Sequence, residues 1–106
     1  MRKLLIVFCK NPVLGKVKTR LAKSIGDSTA LSVYNELLDH SLSVAGASAV
    51  EYAVYYDDFI DVNDRWNDAL YKELQEGDDI GTRMSNAIQD GLERGFESVV
   101  LIGSDI

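Results

Sequence analysis

The sequence predicts a three-layer α/β/α fold, with helices on both faces of a mostly parallel sheet. Three observations carry that expectation. Strand-like and helix-like segments alternate along the chain. Two of the strand-like segments, KLLIVFC at Lys3–Cys9 and SVVLIG at Ser98–Gly103, are continuous apolar runs after their first residue, as in strands covered on both faces. Polar clusters containing glycine lie at or beside three of the strand ends, where ligands bind in open α/β sheets.

The elements follow in order. Lys3–Cys9 reads as a central first strand. Residues 10–26 contain Pro12, Gly15 and Gly26 and hold no sustained period, so an ordered loop is expected, with a short helical turn at 19–23. Asp27 or Ser28 is the expected N-cap of the next element. Ala30, Leu31, Tyr34, Leu37, Leu38, Ser41, Leu42 and Ala45 recur at three- and four-residue spacing, predicting an amphipathic helix of roughly four turns that ends at Gly46. Residues 50–56, VEYAVYY, alternate as a second strand. An acidic, irregular stretch follows over 57–68, with Trp66 as its packing anchor. A short strand ending near Gln75 is expected within 69–75. Ile80, Met84, Ala87, Ile88 and Leu92 mark a second helix, stopped by Gly95, before the last strand. Such an order implies right-handed crossovers.

Composition narrows the function. A chain of 106 residues is one small domain or part of a larger one. One cysteine excludes an intramolecular disulfide framework, and one histidine argues against a multi-histidine metal site. The apolar run at residues 4–9 is too short for a membrane span or an ordinary signal peptide, so the cytoplasm is the expected compartment. A net charge of −6 argues against general nucleic-acid binding. The charge is unevenly placed, however. Seven of the eleven Lys and Arg residues precede Gly26, and no Asp or Glu precedes Asp27. A basic segment kept free of acids inside an acidic chain points to a local anionic ligand such as a phosphate.

Three clusters carry candidate chemistry. In the first, KNPVLGKVKTRL, Gly15 permits close backbone approach, Lys16 and Lys18 are point charges, and Arg20 can grip two oxygens at once. The spacing matches neither a Walker A loop nor a Rossmann fingerprint; the plain alternative is a basic surface loop. The second, QEGDDIGTRM, has Gly77 and Gly81 beside a helix start, where Asp78 or Asp79 can act simply as a cap. In the third, Gly103-Ser104-Asp105, a carboxylate at a strand end is placed to hold a hard cation, Mg²⁺ or Mn²⁺. His40 reads as a surface or packing residue, Cys9 as inert, and Asp57-Asp58 as an acidic turn.

Together, FCKNPVLGKVKTRLAKSIG, QEGDDIGTRM and VVLIGSD resemble a family of GT-A-type, nucleotide-diphospho-sugar transferase-like proteins. Members are often encoded near radical-SAM proteins and include arsenosugar-biosynthesis glycosyltransferases. The resemblance covers the whole chain but only the N-terminal, nucleotide-binding half of the family's single domain, so residues 1–106 are expected to lack the acceptor-binding half. It implies that Lys10, Gly15, Lys18 and Arg20 grip a diphosphate, that Gln75, Asp79, Gly81 and Arg83 lie near the nucleoside, and that Asp105 holds the metal. Ile106 follows the GSD triplet where the family continues with a small residue and proline, and Thr82 stands where an acid is common.

The leading expectation is a glycosyltransferase, complete or partial, that binds a nucleotide-sugar with Mg²⁺ or Mn²⁺ and passes the sugar to a small-molecule acceptor. A guanylyltransferase-like nucleotidyltransferase using an NTP is the second reading, and a non-catalytic nucleotide-binding module the third. No membrane partner is expected, and the last strand, with no covering element after it, is expected to favour self-association through a sheet edge. Lys72 lies outside all three clusters, and its replacement is expected to do little to binding.

Overall fold

The computed structural model describes residues 2–104. Its elements are β1 (Lys3–Cys9), α1 (Thr19–Ile25), α2 (Asp27–Ala47), β2 (Glu51–Tyr56), β3 (Tyr71–Leu74), α3 (Ile80–Glu93) and β4 (Ser98–Gly103). The four strands form one all-parallel sheet in the order β3-β2-β1-β4. β1 is central, as its apolar sequence requires: Ile6 pairs with Ala53 of β2 on one side and Leu101 of β4 on the other.

Strand periodicity divides the core in two. Leu5, Val7 and Cys9 of β1 join Tyr52, Val54 and Tyr56 of β2 beneath Tyr34, Leu38 and Ala45 of α2. Leu4, Ile6 and Phe8 face the other way and pack with Ala53, Tyr55, Ala87 of α3 and Phe96. The three expected layers are therefore present. Gly91 lets α3 sit close to the sheet, since a Cβ there would lie 3.1 Å from side-chain atoms of both Leu4 and Val99. Trp66 fills the first core half, 1 % exposed and edge-on to Tyr52, and so anchors the irregular 57–70 segment.

α2 differs from expectation in length and in its cap: it is 21 residues long, nearly six turns rather than roughly four, and runs through Gly46 to Ala47. Neither Asp27 nor Ser28 is the N-cap of α2; that position belongs to Gly26, with no side-chain cap bond. The reason is the extent of α1, a seven-residue helix rather than a turn ending at 23. It runs to Ile25, so Gly26 alone must end one helix and begin the next, and Asp27 is drawn into the first turn. Its charge there still favours the positive helix end. Lys72, outside the three clusters, sits in a structural ion pair. Its ammonium donates to Asp64 Oδ1 at 2.8 Å and to the Asp61 carbonyl at 2.7 Å, with the two side chains of the ion pair only 14 % and 19 % exposed. Lys72 is therefore a structural residue and a poor neutral control; exposed Lys3, at the amino end of β1, serves better.

β4, expected from its apolar sequence to be covered on both faces, has no fully buried position, because it is an edge strand among the described residues; Val100 at its centre is 57 % exposed. No described helix is long and apolar enough to cross a membrane.

Candidate functional site

All four parallel strands deliver their carboxyl ends to the same edge. The β1-to-β2 crossover moves one way along the sheet and the β3-to-β4 crossover moves the other, with α2 and α3 on opposite faces. The direction of winding thus changes at the carboxyl end of β1, the place where such sheets open a ligand crevice. Lys10 is the first residue beyond that end.

The exit is held by buried polar groups. The Lys10 N–H donates to the Tyr34 hydroxyl at 2.7 Å, and that hydroxyl lies 3.1 Å from Ser104 Oγ. Ser104 in turn donates to the Phe8 carbonyl from both its N–H and its hydroxyl. One tyrosine from α2 therefore ties the ends of β1 and β4 together. On the other side, the Asn11 N–H donates to Asp57 Oδ1, the Asn11 amide donates to the Phe59 carbonyl, and its oxygen accepts from the N–H groups of Asp58 and Phe59. Asn11 is 3 % exposed and fully engaged, and it clamps the loops leaving β1 and β2.

From this fixed base the basic loop runs outward. Val17 is buried in the core and pins its middle, while Gly15, Lys16 and Arg20 stay at the surface. Lys18 takes the N-cap position of α1 with left-handed backbone angles. Lys10, Lys18, Thr19, Arg20 and Leu21 border a recess of about 550 Å³. Lys10 also lines a second, largely apolar cleft of about 360 Å³, whose walls include Phe8, Asp57, Gln75, Ile80, Arg83 and Met84. The structure thus brings Lys10, Lys18 and Arg20 to one recess and Gln75 and Arg83 to its neighbour, with Lys10 shared between them.

The second cluster divides by function. Gln75 Nε2 donates to the Cys9 and Tyr55 carbonyls, laying the side chain across two strand ends. Arg83 Nε donates to the Gly77 carbonyl at 3.0 Å. Gly77 has φ +143°, and a Cβ there would fall 2.9 Å from the Arg83 backbone nitrogen, so only glycine lets this loop fold onto the start of α3. Asp79 is the N-cap of α3: its Oδ1 accepts from the Thr82 N–H at 2.7 Å, a bond that holds the carboxyl below its ordinary range. Asp79 and Gly81 do not line the cleft. Asp105, the expected metal ligand, lies outside the described residues, and those contain no group of three His, Cys, Asp or Glu able to hold a metal by themselves.

Three contributors escaped the sequence reading. Tyr34 was legible only as an apolar helix position, Asn11 only as part of a loop, and Ser104 only as the neighbour of Asp105. A buried polar group is a partnered one, but the partners come from positions 24 to 96 residues away.

Cys9 ends β1 beneath this edge. Burial, followed by the charges of Asp64 and Asp57, pushes its thiol up to about 12. The thiolate is the reactive form, so native protein is expected to resist iodoacetamide at pH 8 and to be alkylated fully in denaturant. Mass spectrometry checks this; rapid native labelling would contradict the inert assignment.

The fold has a solved counterpart. A structure from Desulfovibrio desulfuricans G20, named a "putative nucleotide-diphospho-sugar transferase", superposes with a TM-score of 0.84 at 29 % identity over 100 % of this chain. The chain spans about half of that protein, 48 % of its length. No curated protein matches the chain. By its sheet and its strand-end loops, the chain is an α/β protein of the nucleotide-diphospho-sugar transferase-like fold. It belongs to the family described as an uncharacterized protein conserved in bacteria (DUF2064), whose pattern matches residues 37–106.

Proposed function

We propose that the chain forms the nucleotide-binding part of a cytoplasmic, nucleotide-sugar-dependent glycosyltransferase. One observation carries the reading: an acid-free basic loop leaves the central strand at the change of winding, and its recess adjoins an apolar cleft through Lys10. A diphosphate suits the recess and a nucleoside suits the cleft. Lys18 and Arg20 would bind phosphate oxygens, Arg20 with its forked guanidinium. These cations would also stabilise charge on the departing nucleoside diphosphate as the sugar bond breaks. The named structural counterpart supports a nucleotide-sugar as the substrate class.

The donor set suits a hard divalent cation. Asp57 brings a carboxylate to the cleft, Asp105 follows Ser104 in the chain, and the Cys9 thiol is held protonated. Asp105 would hold Mg²⁺ or Mn²⁺ against the diphosphate, and the bound ion would supply charge neutralisation there. The acceptor-binding half would lie in the part of the related protein that this chain does not span, and the β4 edge is the surface through which two copies would associate.

Titration calorimetry with UDP and GDP, with and without Mg²⁺, tests the reading. Arg20→Ala is expected to weaken binding by about 1.5–3 kcal/mol, the range for hydrogen bonds to charged groups. Asp105→Asn should blunt the metal dependence more than metal-free binding. If Arg20→Ala and Lys3→Ala behave alike, the loop is a solvated surface and the site is misassigned. Pyrophosphate release from an NTP, without turnover of nucleotide-sugars, would replace sugar transfer by nucleotidyl transfer.

A further inference from the structure

Gln75 follows β3 directly, and its position is over-determined. Its N–H donates to the Tyr56 carbonyl at 2.8 Å, while Nε2 donates to the Cys9 carbonyl at 3.2 Å and the Tyr55 carbonyl at 3.0 Å. Both side-chain partners are carbonyl oxygens, which accept and never donate. The amide therefore has one possible orientation, with its NH₂ on the sheet and both hydrogens spent. Oε1 is the polar atom left over, and among the described residues nothing donates to it. Gln75 lines the apolar cleft, so what it offers a ligand is an acceptor on a rigid mount.

The surroundings favour a flat ring. Ile80 and Met84, on the first turns of α3, present exposed apolar surface at the cleft. Asp57 adds a second acceptor, its Oδ1 already oriented by the Asn11 N–H. Resting on the reading that a nucleotide occupies this edge, we infer that Gln75 is a specificity-determining residue whose Oε1 accepts the ring N–H of a lactam or imide base. Uracil and guanine carry that N–H. Cytosine and adenine carry a bare ring nitrogen at the equivalent edge, which would set acceptor against acceptor, and their neighbouring amino group can reach Oε1 only if the ring shifts from that pose.

The experiment is a titration of the full chain with UDP, GDP, CDP and ADP in Mg²⁺. UDP or GDP is expected to bind at least about tenfold more tightly than CDP and ADP, the scale of one hydrogen bond gained rather than opposed. Equal affinity for all four would overturn the inference and leave nucleotide binding standing. Binding of none would overturn the nucleotide reading itself, and the inference with it. Gln75→Met keeps the length and removes both polar groups; if its thermal melt shows a folded protein, discrimination should fall below about threefold. Discrimination retained in that variant would overturn the assignment to Gln75. Should Gln75→Met fail to fold, the ranking of the four nucleotides on the parent chain decides.

Discussion

Trp66→Ala is expected to destabilise the protein by about 3–5 kcal/mol, the range for removing a large aromatic from a core. The indole is almost fully buried against Tyr52 and the first core half. It also lines a hollow of about 290 Å³ beside Cys9 and Leu38, so truncation enlarges an existing void. Collapse around it is limited, because the strands on one side cannot move without breaking the sheet. Marginal stabilities of about 5–15 kcal/mol leave a small domain little reserve for such a loss. Urea denaturation measures the cost directly. A second readout comes from Cys9, whose alkylation should rise sharply once the hollow it lines with Trp66 is opened. A variant within 1 kcal/mol of the parent would show that the 57–70 segment holds itself in place without its tryptophan.

Lys72→Ala is the second large effect, expected at about 2–3 kcal/mol near neutral pH, below the range for a fully buried pair because some exposure remains. The Asp64 carboxyl would be raised by burial alone. Hydrogen bonds from Lys72, from the Tyr56 hydroxyl and from the Trp66 N–H outweigh that and hold it below the ordinary carboxylate value. Its folded value lies below its unfolded one, so the associated stability is complete above about pH 4, the ordinary carboxylate value. It is lost as pH falls toward the folded value, where Asp64 takes up its proton. Without Lys72 its hydrogen bond and its charge no longer lower the Asp64 carboxyl, so the carboxyl rises and the acid-side slope flattens. The gap between parent and variant should therefore narrow as pH falls below about 4. A gap constant between pH 7 and pH 3 would place the cost in packing of the lysine stem rather than in the ion pair.

These two residues show why the fold was more legible than the site. β1 could be read as a central strand because a segment buried on both faces has no polar position to spare. Trp66 stood out because a large aromatic in an acidic stretch has few other reasons to be there. Lys72 was read only as a position outside the binding clusters, and its structural role was hidden because its partners, Asp61 and Asp64, lie across a turn whose path the sequence does not specify. The basic loop was visible from charge alone, but its attachment was not. Tyr34 and Asn11 act through single hydroxyl and amide groups on distant backbone, and no local period reports such a bond. Gln75 could be placed near a ligand by resemblance, whereas the direction of its amide depends on three strands meeting at one edge.

The clamp at Asn11 also bears on how the molecule ages. Asparagine side chains decay when the following residue's amide nitrogen attacks the side-chain carbonyl and closes a five-membered ring. The product is an aspartate, which here would turn a carboxylate toward the Phe59 carbonyl that now receives an N–H. Residue 12 is proline, whose nitrogen has no hydrogen to give up, so that ring closure is blocked at the outset. Burial and the two N–H groups held by the Asn11 oxygen restrain the side chain further. The joint between the two strand exits is thus built from an asparagine whose chemical clock has been stopped by its neighbour.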